Sequence, residues 1–144
     1  MIKKKEDYLL ISNSTIPTSG KGLFTLKRIK KGEKICRFGG KLIDNKEFSK
    51  ILKAIKKGQY NLESANYYVS LSSGLILDSY ESDCFARFAN DAEGLNKIVG
   101  FENNAMIIEG EDKVSAYLQA TKDIDEGSEI FTGYGKSYWV GFKR

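Results

Sequence analysis

The sequence predicts a mainly β fold of many short strands with two short helices, and three observations carry that prediction. Its apolar stretches are short and end at polar or glycine-containing turn residues. Two segments, residues 65–78 and 103–121, read as hairpins, with apolar arms on either side of a turn cluster. Only one segment, near residues 44–58, sustains a clear helical repeat. Neither the strand spacing of a sandwich nor that of a barrel is met.

YLLISNST (8–15) reads as a strand stopped by polar residues. Pro17, the single proline, opens a loop that runs through TSGKG to a second strand, LFTLKRI (23–29). Lys31 and Gly32 turn the chain into EKICRFGGKLI (33–43), two short strands about Gly39 and Gly40. Asp44 and Glu47 form a capping-box pattern ahead of Phe48, Ile51, Leu52 and Ile55, and Lys56-Lys57-Gly58 supplies the stop. This helix reads as structural. The hairpin ANYYVSLSSGLILD turns at Ser72-Ser73-Gly74. CFARFAND (84–91) places Phe85, Ala86, Phe88 and Ala89 on one face of a short helix, with Asn90-Asp91 following. NNAMIIEGEDKVSAYLQAT turns at Gly110-Glu111-Asp112, and EIFTGYGKSYW (129–139) begins with strand character.

Composition narrows the function. A chain of 144 residues, 41% hydrophobic and 29% charged, is one folded domain with a sizeable core. No apolar run is long enough to span a bilayer, and YLLI is too short for a signal peptide. Cys36 and Cys84 read as small buried hydrophobes in a reducing compartment. The net charge of +4 is modest, and Lys3 to Lys5 read as a solvated tail, so no direct nucleic-acid contact is expected. The absence of histidine excludes Ser-His-Asp and Cys-His catalysis and histidine-ligated metals. Catalysis must then use carboxylates, Lys, Tyr, Cys, backbone groups or a cofactor.

Gly20, Lys21 and Gly22 between two strands would let backbone amides approach an anion, although on these residues alone a plain tight turn is the better reading and the Walker pattern is missing. Glu109, Glu111 and Asp112 read as solvated turn residues. Phe85 and Phe131 read as core. Tyr134 stands apart, because Gly133 and Gly135 flank it and suggest a hydroxyl placed for a purpose.

Read in order, GKGLF, LILDSYESDCFARFAND, NNA at 103–105, EGSEIFTGYG and KSYW resemble the motifs of SET-domain protein lysine methyltransferases, from about residue 20 to 139. The resemblance implies one SET domain over 1–144, with a core at 8–136 and a short extension at 137–144. Its fold would be small curled sheets (a β-clip) with a threaded C-terminal segment and two or three short helices. S-adenosylmethionine is the implied cofactor, held by Gly20, Lys21, Gly22, Arg87, Phe88, Asn90, Asp91, Tyr134 and Trp139, with Trp139 over the adenine. Tyr134 would be the catalytic tyrosine, and Tyr67, Thr132 and Phe88 would line a lysine channel. The implied substrate is a lysine-bearing protein, by family habit a histone tail, in an intracellular setting that is nuclear if the source is eukaryotic or viral. No metal or membrane is implied.

Two departures stand out. The family's Asn-His pair is Asn90-Asp91 here, and AEGLNKIVGFE lengthens the loop before Asn104. The zinc-binding cysteine clusters of some members are missing. Asp91 favours a second reading, a SET-like module that binds peptide or cofactor without turnover.

Overall fold

The computed structural model describes residues 7–17, 20–58, 68–79, 82, 84–93 and 100–133. Their regular structure is mostly strand, as expected: β1 (Leu9–Asn13), β2 (Lys21–Thr25), β3 (Lys34–Arg37), β4 (Lys41–Ile43), α1 (Asn45–Lys56), β5 (Tyr68–Ser70), β6 (Ile76–Asp78), β7 (Ala105–Glu109), β8 (Ala116–Ala120), β9 (Glu129–Ile130) and β10 (Thr132–Gly133). The strands form three small sheets, ordered β1-β2-β9, β10-β7-β8-β3 and β4-β6-β5.

Both hairpins form where turn residues interrupt apolar arms. Strands β5 and β6 pair antiparallel with Ser70 opposite Ile76, and β7 and β8 pair with Glu109 opposite Ala116. The second turn closes through the Gly110 amide on the Ser115 carbonyl at 2.8 Å. Helix α1 starts as its capping pattern predicts. The Asp44 carboxylate accepts from the Glu47 amide at 2.8 Å, and Phe48 N–H donates to the Asp44 carbonyl at 3.0 Å. The strands on either side of Gly39 and Gly40 form too, yet β3 pairs with β8 and β4 with β6.

One main core gathers Leu9, Leu23, Ile35, Leu77, Leu118 and Ile130 from all three sheets. Cys84 is buried in it and Cys36 packs against it half-buried. A satellite cluster of Ile16, Ala92 and Phe131 is completed by Phe101, whose ring meets Phe131 edge-on at 5.9 Å. Phe85 and Phe131 are therefore core, as their sequence positions suggest.

Two expectations are corrected. The GKG segment is not a loop: Lys21 and Gly22 already belong to β2, opposite Asn13 and Ser12, and the turn ends at Gly20. Residues 84–91 do not make an amphipathic helix. Only a 3-10 turn forms over Ala86–Phe88, and Ala89 is already extended at ψ 123°. The cause is tertiary, because Asn90 is drawn into a parallel bridge with Phe131. Among the described residues the helices are thus α1 and this one turn. The threaded C-terminal segment falls on residues 134–144, outside the described residues.

Candidate functional site

The last strands return to the start of the domain, and Asn90 sits where they meet. Its carbonyl accepts from the Thr132 amide at 2.8 Å. Its side-chain Nδ2 donates to the Lys21 carbonyl at 3.0 Å and to Glu129 Oε2 at 3.4 Å. One amide thus joins β2, the segment after the 3-10 turn, and β9–β10.

Glu129 is the anchor of this wall. It is only 5% exposed, where an isolated carboxylate would be costly. Hydrogen bonds compensate: Ser14 Oγ donates to Oε2 at 2.7 Å, and Thr15 donates to Oε1 from its amide at 2.7 Å and its hydroxyl at 2.6 Å. The β1–β2 loop is closed as well by the Ser14 amide on the Gly20 carbonyl at 2.7 Å. Gly22 is glycine for a reason unrelated to turning, since a Cβ there would lie 2.2 Å from Glu129 Oε2 and 3.2 Å from Ser14 Cα. Gly20 is the turn residue, with φ +68° and open space where a Cβ would project.

Asn104 braces the wall from behind. Its Nδ2 donates to the Glu129 carbonyl at 3.0 Å, and its Oδ1 accepts from the Phe131 amide at 2.9 Å. Thr132 is fully buried, and its hydroxyl has no partner among the described residues. A buried hydroxyl without a partner is destabilising by about 1–3 kcal/mol.

The structure brings Gly20, Lys21, Gly22, Asn90 and Thr132 together. Lys21 joins the wall through its carbonyl, while its ammonium donates to Asn13 Oδ1 at 3.3 Å across the strand pair. Arg87 and Phe88 lie on the preceding turn. Arg87 Nε donates to the Ser79 carbonyl at 3.1 Å, and its guanidinium stacks 4.6 Å from the Phe88 ring centre. Asp91 turns away from Asn90's partners. Its Oδ1 accepts from the Glu93 amide at 2.9 Å and from Asn103 Nδ2 at 3.0 Å, while Asn103 Oδ1 accepts from Ala92 N–H at 2.8 Å. These bonds clasp the base of the inserted loop. Tyr67, Tyr134 and Trp139 lie outside the described residues.

Sequence reasoning missed Glu129, along with Ser14 and Thr15. A glutamate beside polar neighbours carries no periodic signal. The hint was its place inside EGSEIFTGYG. Glu109 is exposed, as read, but it ends β7 and accepts from the Ser72 amide at 2.6 Å and from the Ser72 hydroxyl, tying one hairpin's turn to the other. Ser72 thereby holds the Glu109 carboxyl below its usual range.

Chemically, the wall offers acceptors. Both Glu129 oxygens are taken by protein donors, which suits an anchor better than a base. Asn90 commits its donor end to protein, leaving its Oδ1 as the acceptor on hand for a cationic group.

A family model described as SET domain matches residues 20–135. The chain is 26% identical over 121 residues to the variant-silencing SET domain-containing protein of Plasmodium falciparum, covering 83% of this chain and 4% of that protein. It is 27% identical over 135 residues to histone-lysine N-methyltransferase EZ1 of Zea mays, covering 93% and 13%. It is 26% identical over 126 residues to histone-lysine N-methyltransferase mes-2 of Caenorhabditis elegans, covering 87% and 15%. The chain therefore spans a small part of these relatives. Among solved structures it resembles a humanized mutant of the Chaetomium thermophilum Polycomb Repressive Complex 2 bound to the inhibitor GSK126, at 22% identity. It also resembles ctPRC2 in an autoinhibited conformation bound to S-adenosylmethionine, at 24% identity. Each has a TM-score of 0.67 and is covered to 15% by 88% of this chain, a likeness of fold. The ordered motifs, the wall they build and the match over residues 20–135 agree: the chain belongs to the SET-domain family.

Proposed function

We propose that this domain is an S-adenosylmethionine-dependent protein lysine N-methyltransferase acting on histone tails, organised as one SET domain with a core at 8–136 and an extension at 137–144. The observation that carries the reading is the wall itself, in which Asn90 is fixed by the Lys21 carbonyl, Glu129 and the Thr132 amide with its Oδ1 left as an acceptor. Such an acceptor suits the ammonium of the cofactor's methionine part, so the residues present fit the group. Gly20, Lys21, Gly22, Arg87, Phe88 and Asn90 would hold it, with Asp91, Tyr134 and Trp139 completing the site.

When bound, the cofactor supplies an electrophilic methyl group on a sulfonium. The chain's own task is to present a neutral amine in line with that methyl. A free lysine has a pKa of about 10.4 and carries a proton at neutral pH. Phe88, Tyr67 and the buried Thr132 would form an apolar channel that disfavours the charged form and releases the proton to water. Tyr134 would orient the amine. An intracellular, chromatin-associated setting follows from that substrate; no helix among the described residues is long and apolar enough to cross a membrane.

The test is transfer of labelled methyl from S-adenosylmethionine to a histone mixture, with Tyr134→Phe alongside. Label on lysine that disappears in the variant supports the reading. Cofactor binding by calorimetry without label on any histone overturns the histone assignment. A second reading, a non-catalytic SET-like module, is favoured by Asp91, whose carboxylate is committed to Glu93 and Asn103. Neither label nor cofactor binding would select it.

A further inference from the structure

Helix α1 carries a line of lysines that the methyl-transfer reading does not use. At 100° per residue, Lys46, Lys50 and Lys53 fall within a narrow stripe, extended by Lys57, which lies one residue past the helix end with its amide bonded back to the Lys53 carbonyl at 3.1 Å, and Phe48, Ile51 and Leu52 lie on the opposite side. All four lysines are exposed, whereas the three apolar residues are half-buried. No ion pair among the described residues involves any of the four. The helix's one acidic residue, Glu47, stands 3.7 Å from Lys41 Nζ, off the stripe.

Two features separate this stripe from an ordinary solvated face. First, residues 45–57 hold five lysines and one glutamate, a net of +4, which equals the formal net charge of the whole 144-residue chain. Residues 27–34 carry an equal net charge, but Lys27 and Arg28 there are paired with Glu33, Asp123 and Asp125, whereas no described ion pair engages the stripe. Second, the stripe places like charges three or four residues apart three times in succession, an arrangement that opposes helix formation. Proximity to the helix C-terminus offsets this only for Lys53 and Lys57. The fold has no use for the charge, which points to a partner.

We propose that the lysine face of α1 is a docking surface for the phosphate backbone of double-stranded nucleic acid. The stripe runs straight for about 16 Å, at ~1.5 Å per residue, and so follows a rod of regularly spaced negative charge. Lysine ammoniums act as point charges suited to phosphates, without the planar fork that favours carboxylates. No aromatic side chain lies in the stripe, so stacking on single-stranded bases is not provided for. Phe48, Ile51 and Leu52 are half-buried rather than exposed, so the helix does not present the fully exposed apolar face that a bilayer surface takes up. Contact would be independent of base sequence. This revises the expectation based on the N-terminal lysine run, and it does not depend on the methyltransferase reading.

The experiment is fluorescence anisotropy of a labelled 20-base-pair DNA duplex titrated with the full chain from 50 to 200 mM salt. Wild type is expected to bind, with affinity falling steeply as salt rises. The Lys46→Gln/Lys50→Gln/Lys53→Gln/Lys57→Gln variant should bind at least tenfold more weakly at 50 mM, and its log–log salt slope should be shallower by about 3–4, at ~0.9 per phosphate contact. The fourfold Lys→Arg variant should keep both affinity and slope. Circular dichroism establishes that both variants are folded. The proposal is overturned if wild type does not bind the duplex, or if the Gln variant binds as wild type does. It is also overturned if Lys3→Gln/Lys4→Gln/Lys5→Gln removes binding instead. Equal displacement of the duplex by polyglutamate would reassign the surface to an acidic protein, and preferential binding to phosphatidylserine vesicles would reassign it to a membrane.

Discussion

Charge is handled in opposite ways in two regions of this molecule. At the wall, one carboxylate is 5% exposed and four donors from Ser14, Thr15 and Asn90 converge on it. Along α1, four exposed lysines line up, and none is in an ion pair among the described residues. Removing the charge takes a shared acceptor from half-buried Ser14 and Asn90 and from Thr15 in the first case, and relieves repulsion in the second. The wall's charge serves the fold, and the helix's charge is held against the helix's own preference.

The largest test of that contrast is Glu129→Ala, which strands the Ser14 and Thr15 donors. Its expected effect is a loss of about 2–3 kcal/mol in denaturant unfolding, and a loss below ~1 kcal/mol would mean that water already serves those groups. Gly22→Ala should follow at about 1–3 kcal/mol, because its Cβ must displace Glu129 Oε2 or the Ser14 backbone. Gly20→Ala, strained in φ but facing open space, should be milder at ~1 kcal/mol. Combining Gly22→Ala with Glu129→Ala sharpens the point: the two losses should sum to less than additivity, since the second substitution removes the atom that the first collides with.

Acidification should have a smaller effect through three exposed carboxylates. Ser72 lowers the pKa of Glu109, the Val114 amide and Ser115 hydroxyl lower that of Asp112, and the Lys31 amide lowers that of Asp123. Each folded pKa lies below its unfolded value, so the added stability is complete above the ordinary carboxylate values of 4.5 and 3.8. It is lost as pH falls through the folded values. A Tm series should therefore decline below about pH 4.5 and decline less in Glu109→Gln. The smallest effect belongs to the helix. The fourfold Lys→Gln variant should keep wild-type stability or gain up to ~1 kcal/mol. A marked loss there would make the stripe structural and end the contrast.

What could be read from sequence divides along similar lines. The two hairpins and α1 were legible because their instructions are local: Ser72-Ser73-Gly74, Gly110-Glu111-Asp112, and Asp44 capping Glu47. The β2–β9 and β7–β10 pairs were not, because no pattern within Glu129–Gly133 names Leu23 or Ala105 as a partner. The 84–91 segment shows the same limit. Its apolar spacing is helical, but a bridge to Phe131 pulls Asn90 out of the helix. Of the site, the ordered motifs located Gly20, Gly22 and Asn90, whereas Glu129 needed the folded chain to show what surrounds it.

The return of β9 and β10 also orders events in time. Leu23 meets Ile130, Asn90 meets Phe131, and Ala105 meets Thr132. The first of these closes a loop of more than a hundred residues, and entropy opposes such closure until other contacts have shortened the effective path. The 68–78 and 105–120 hairpins need no such help and can form on a timescale of about 1–10 μs. Folding therefore reaches the surroundings of Asn90 late, and a chain with both hairpins formed but β9 still unpaired has a core in progress and nowhere yet for a ligand to bind.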